Sequence, residues 1–192
     1  PERKIIAVDS LLASLGQGLL VNTACILANE GKSIDEIVSE ITLKKDNLNS
    51  LFTVKTLSYL CRGGRVSKMS YAIGTVVDIK PLMYVSENGK LLAYQKVIGR
   101  KRSIFAIADR LAKTIVDSEN QTVFISHGDC LEDAELLARL IKDRVKVKDF
   151  LFNYIDPVIA VHSGPDTLAV FYYGLKREET VSNSVERVGN IG

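Results

Sequence analysis

The sequence predicts an α/β protein, and three observations carry that reading. Short continuous apolar runs alternate with segments of helical periodicity, several of those segments open on a capping residue, and Asn88-Gly89 lies between two apolar runs. Alternating strands and helices are the mark of the α/β class, and Asn-Gly between apolar runs is the strongest local hairpin signal. The 192 residues suffice for one domain or two small ones. A break is expected near Ile79. Residues 1–78 then belong to a first α/β domain on a mostly parallel sheet. Residues 79–175 make a second α/β domain on a mixed sheet containing the hairpin, and 176–192 read as a polar, mobile tail.

Taken in order, Lys4 to Val8 reads as a strand covered on both faces. Ser14 is placed to cap a helix over 15–30 that ends at Gly31, and its apolar residues cover more than one face. Ser33 and Glu36, three apart, make a capping box for a second helix reaching about Lys45. Leu51 to Val54 is a strand, Thr56 caps Leu57 to Arg62, and Ser67 opens a short helix over 68–75. The hairpin strands are 79–85 and 90–97. A strongly periodic helix covers 103–116, a strand 122–126, and a helix 131–142. Residues 147–154, 158–161 and 168–173 read as strands.

Composition excludes several classes. A net charge of +2 is too balanced for a nucleic-acid binder, and Arg100-Lys101-Arg102 is the nearest approach to a basic run. Hydrophobic residues at 46% and charged residues at 25% allow a sizeable core. No apolar run has the length of a membrane span, and stable membrane insertion is not expected. Cys25, Cys61 and Cys130 are odd in number and far apart, as in reduced thiols of a cytoplasmic protein.

Four places invite chemistry. Gly16-Gln17-Gly18 begins a dinucleotide fingerprint but has Val21 where the third glycine belongs. His127-Gly128-Asp129-Cys130 groups three metal-ligand types without a second cluster, and Asp129 is better used as a helix cap, so no metal and no cofactor are expected. His162-Ser163-Gly164-Pro165 holds an imidazole at the end of the run Val158 to Val161. Leu60 to Ser67 ends an apolar helical turn on Gly63-Gly64 and follows it at once with Arg65. A guanidinium there offers a fixed fork of donors to a carboxylate or phosphate. Asp9-Ser10, after the first apolar run, occupies the position where open α/β sheets place ligand groups.

Together these residues resemble the DegV family of bacterial proteins over about nine-tenths of the chain. The anchors are Val8-Asp9-Ser10 with Ser14 to Leu19, Leu57 to Leu60 with Gly63 to Ser67, Ile79-Lys80-Pro81, His127 to Cys130 with Glu132 to Glu135, and His162 to Pro165. The resemblance implies a DegV-like two-domain architecture with one long-chain fatty acid held between the domains. The bound carboxylate would be presented to a separate fatty acid kinase, which makes acyl-phosphate for phospholipid synthesis. The protein is then a carrier and not an enzyme. Carried over by motif, Arg65 and His162 stand near the head group and Gly63 and Gly64 shape the pocket, with Ser10 as a further ligand-binding candidate.

The chain departs from the family pattern in two places. Lys96-Val97-Ile98 stands where Lys-Val-Arg is common, an arginine associated with kinase docking, for which Arg100 or Arg102 could substitute. Gly164-Pro165-Asp166 stands where Gly-Pro-Gly is common, which adds a carboxylate beside a carboxylate site. The resemblance also places the first strand well inside a first domain. The preceding strands would then be supplied elsewhere, or a homodimer would cover the exposed apolar face. The competing class is an enzyme acting on a small carboxylated or phosphorylated substrate, with Asp9, Arg65 and His162 converging.

Overall fold

The computed structural model describes residues 3–67 and 78–182. Six strands form one mixed sheet in the order β3-β2-β1-β6-β4-β5. They are β1 (Leu48–Thr53), β2 (Ile79–Val85), β3 (Leu91–Ile98), β4 (Thr122–His127), β5 (Asp149–Tyr154) and β6 (Leu168–Tyr173). The helices are α1 (Leu15–Asn29), α2 (Ile34–Lys44), α3 (Ser58–Arg62), α4 (Arg100–Thr114), α5 (Leu131–Lys142), α6 (Pro157–Ser163) and α7 (Arg177–Ser182). Only β4 and β5 run parallel, and every other neighbouring pair is antiparallel. The α/β class therefore holds. Strand β1 is antiparallel to both neighbours, not part of a parallel set, and the break expected near Ile79 falls between β1 and β2, which are hydrogen-bonded.

The period-2 alternation of the strands divides two cores. Leu51, Val123, Ile125, Leu168, Val170 and Tyr172 face Ile104, Ile107 and Leu111 of α4 and Leu137 and Ile141 of α5. On the opposite face Leu48, Phe52, Phe124, Ala169 and Phe171 meet Leu19, Leu20 and Leu27 of α1 and Ile41 of α2. The second face admits close packing because residue 16 is glycine. A β-carbon there would lie 2.9 Å from the Phe171 ring. That contact explains the glycine without a nucleotide.

Local signals explain most boundaries. The Ser33–Glu36 capping box is formed. Thr56 Oγ1 accepts from the Ser58 N–H at 3.2 Å. The hairpin closes through Ser86 N–H to Lys90 O at 2.9 Å, with Gly89 at φ 72.

Five expectations are corrected. Lys4 to Val8 is not a strand: no described strand lies beside it, and Ile5 is 90% exposed. Ser14 does not cap α1, because its hydroxyl donates instead to Ser126 Oγ at 3.3 Å. Asp129 does not cap α5. It sits at φ 59, and Cys130 occupies the cap position. Residues 158–161 are helical, because Asp156 accepts from the Ile159 N–H at 3.2 Å and Pro157 fixes the first helical φ. That cap outweighs the β-branched run that suggested a strand. The tail from Lys176 opens with helix α7, whose Arg177 is 2% exposed. The helix expected over 68–75 lies outside the described residues.

The α6 cap yields a first test. Asp156→Ala is expected to cost about 1 kcal/mol, the usual loss for a cap. Urea denaturation measures it, and an unchanged midpoint would show that Pro157 alone sets the helix.

Candidate functional site

The double glycine ends α3 as a Schellman turn. The Arg65 N–H donates to Leu60 O at 2.8 Å and the Gly64 N–H to Cys61 O at 3.1 Å, with Gly64 at φ 72. The turn throws Arg65 back over the helix end, where its guanidinium donates to the Gly63 carbonyl. Arg65 is exposed.

Helix α6 approaches the same turn from the other side. His162 lies in its last turn, not at a strand end, and its ring packs directly on Gly63: a β-carbon on Gly63 would be 2.4 Å from His162 Nδ1. The reverse contact also exists. A β-carbon on Gly164 would be 2.4 Å from the Tyr59 ring, whose other partner is the Arg62 guanidinium at 4.7 Å from the centroid. Each helix thus ends on a glycine that receives an aromatic or imidazole ring of the other. Thr167 Oγ1 ties off the end of α6 by donating to Ser163 O at 3.0 Å and Gly164 O at 2.8 Å.

The structure therefore groups Gly63, Gly64, Arg65 and His162. A cation and an imidazole flank one backbone turn, an arrangement that can hold a carboxylate or phosphate oxygen by charge and hydrogen bonds. Ser10 is not among them. It is buried, its hydroxyl is satisfied within its own loop by Leu12, and its carbonyl accepts from Arg177 Nη2 at 3.3 Å. Arg177 also bonds Leu48 at the start of β1, whereas α3 follows the other end. Six residues at about 3.3 Å each separate those ends by roughly 17 Å.

The two flagged departures have structural answers. The Asp166 carboxylate accepts from Lys55 Nζ at 2.7 Å. Arg100 is engaged on α5, its Nε donating to Asp133 Oδ2 at 2.7 Å, while Arg102 is exposed.

The His127 cluster has a different organisation from the His162 group. His127 is 2% exposed, its Nδ1 accepts from the Cys130 N–H at 3.3 Å, and its ring lies on Tyr154 at 4.6 Å between centroids. Among the described residues no three His, Cys, Asp or Glu side chains stand as a metal-holding group. Burial pushes the Cys130 thiol up to about 11, so almost none is thiolate near neutral pH. Iodoacetamide at pH 7.5 should label exposed Cys25 well before Cys130. Labelling of Cys130 at an equal rate, read by peptide mass spectrometry, would contradict this. A depression of about 410 Å³ lies at Lys142 to Val147, on the α5–β5 loop and away from His162. Two of its cations are already paired, Arg144 with Asp109 and Lys146 with Glu119.

The chain belongs to the DegV family. The family model described as "Uncharacterised protein, DegV family" matches residues 1–175. A DegV domain-containing protein of Clostridium perfringens is 47% identical over 178 residues, 93% of this chain and 61% of that protein. Among solved structures, a fatty acid binding DegV family protein of Streptococcus agalactiae superposes with TM-score 0.76 at 28% identity, over 86% of this chain and 58% of that one. The Fatty Acid Kinase (Fak) B3 protein of Streptococcus pneumoniae, loaded with linoleic acid, gives TM-score 0.78 at 27% identity over 88% of this chain and 60% of that one. The chain thus spans about three-fifths of the length of the relatives it matches.

Proposed function

We propose that this chain belongs to a carrier that binds a long-chain fatty acid and offers its carboxylate to a separate fatty acid kinase. The observation that carries the reading is that Arg65 and His162 both contact Gly63, the guanidinium at its carbonyl and the imidazole on its open α-carbon. Two relatives of the same fold support it, one described as fatty acid binding and the other loaded with linoleic acid. A buried acyl chain contributes roughly 0.8 kcal/mol gross per methylene. The carboxylate must then meet donors or a positive charge, since a bare one would take back several kcal/mol. The Arg65 guanidinium and the His162 imidazole, each against Gly63, are the groups that would meet that need. The protein needs no nucleophile or base of its own, since the phosphoryl group comes from the kinase.

The test is native mass spectrometry of the protein as purified from bacteria. A retained long-chain acid is expected, and a protein that neither retains one nor takes up added palmitate would overturn the reading. Arg65→Ala should weaken palmitate binding about tenfold, the loss of one charge-assisted contact. Its melting temperature should hardly move, because Arg65 is exposed. Unchanged palmitate affinity would remove Arg65 from the site.

A further inference from the structure

Two loops carry the candidate head-group residues. One leaves β1 for α3 and the Gly63-Gly64 turn, and the other returns from His162 and Gly164 to β6. An ion pair spans them, Lys55 Nζ to Asp166 Oδ2 at 2.7 Å. Both ends are anchored. The Asp166 N–H donates to Gly128 O at 2.7 Å, and the Gly128 N–H donates to Thr167 O at 2.8 Å, which fixes this loop to the end of β4. The Lys55 carbonyl accepts from Lys80 Nζ at 3.2 Å, and Lys80 itself pairs with Asp78 at 2.8 Å. Asp166 meanwhile adopts φ 58. Aspartate tolerates that left-handed region better than most residues but less freely than glycine. The carboxylate carried on this backbone is the one that meets Lys55.

We propose that Asp166 and Lys55 are positioning residues of the head-group site, their ion pair setting how the His162 loop stands against the Gly63 turn. The proposal deepens the acyl-carboxylate reading and rests on it. The pair is 34% and 64% exposed on its two side chains, so it adds little to global stability. Register is another matter. The ring contacts at Gly63 and Gly164 hold the two helix ends together, and the Lys55–Asp166 pair is the polar link that joins the loops leading to them. A displacement of an ångström is enough to spoil a preorganised site.

The experiment uses the protein at its full natural length, with palmitate titration by calorimetry and the His162 ring followed by NMR in lipid-free protein. Asp166→Asn and Lys55→Met should each weaken palmitate about threefold, the size an exposed pair can supply. The double variant should be no worse than either single, and Lys55→Arg should bind as the parent does. His162 ring resonances should move in the first two variants and stay in Lys55→Arg. Asp166→Gly should raise the melting temperature, by relieving the left-handed backbone, while weakening palmitate. Those opposite signs separate positioning from a structural role. Unchanged resonances in Asp166→Asn and Lys55→Met, or losses that simply add in the double variant, would overturn the proposal. If the parent protein takes up no palmitate, the acyl reading itself has failed, and the His162 resonances alone decide whether the pair positions that ring.

Discussion

Replacing Arg177 by alanine is expected to cost about 4 kcal/mol, a large part of the 5–15 kcal/mol typical of a domain. The side chain is 2% exposed, and its guanidinium donates only to backbone carbonyls among the partners described. Nε reaches Leu48 at 2.9 Å, Nη1 reaches Ser86 at 3.1 Å and Leu11 at 3.5 Å, and Nη2 reaches Lys45 at 2.8 Å and Ser10 at 3.3 Å. One planar group thus joins the start of β1, the hairpin, the turn after α2 and the loop before α1. Burial lowers its pKa, with Asp46 opposing that shift, and hydrogen bonds to the charged form offset part of the desolvation. Removing the cation leaves several buried carbonyls without donors, which is why the loss should exceed that of one hydrogen bond. Arg177→Lys should recover only part of the stability, since an ammonium has three donors and no fork. Urea unfolding of both variants is the measurement. A loss under about 1 kcal/mol in Arg177→Ala would mean that water satisfies those carbonyls equally well.

Arg177 also marks the limit of what the sequence reveals. Its five carbonyl partners stand 91 to 167 residues away along the chain, and no pattern near Lys176 announces them. A polar stretch without periodicity reads as a mobile tail, yet residues Arg177–Ser182 form a helix. Signals confined to a few residues did better. The Ser33–Glu36 box, the bounds of α5 and the hairpin around Gly89 depend on neighbours within four residues, and each appears where the sequence places it. Residues 158–161 show two local signals in conflict. Val158, Ile159 and Val161 favour a strand, but Asp156-Pro157 supplies a cap and a first helical residue, and the cap prevails. Lys4 to Val8 has the composition of a strand, yet a strand needs a hydrogen-bonded neighbour, and composition cannot provide one. Within the candidate site, the double glycine and the two side chains were readable as motifs. That His162 lies on Gly63, and Tyr59 on Gly164, was not, because those contacts depend on how two helices meet.

Gly164→Ala is expected to be the most damaging single substitution at the site, at about 3 kcal/mol or more of stability. Two costs combine. The backbone sits at φ 82 and ψ 173, a region open almost only to glycine. The new methyl would also stand 2.4 Å from the Tyr59 ring, over which the Arg62 guanidinium lies. Gly63→Ala isolates the second kind of cost. Its φ of −75 and ψ of −3 suit any residue, so its main penalty is the collision with His162 Nδ1, 2.4 Å from the added carbon, with the Tyr59 carbonyl a milder contact at 3.3 Å. That variant should lose about 1–2 kcal/mol, as overpacking does, with His162 pushed off the turn. Adding His162→Ala to Gly63→Ala should then cost no further stability, because the clash disappears with the ring. The same addition to Gly164→Ala should give no relief, since neither the left-handed backbone nor the Tyr59 contact involves that imidazole. Thermal unfolding of the four variants reads both interactions. If His162→Ala rescued Gly164→Ala and left Gly63→Ala unimproved, the pairing of rings with glycines described for α3 and α6 would be wrong.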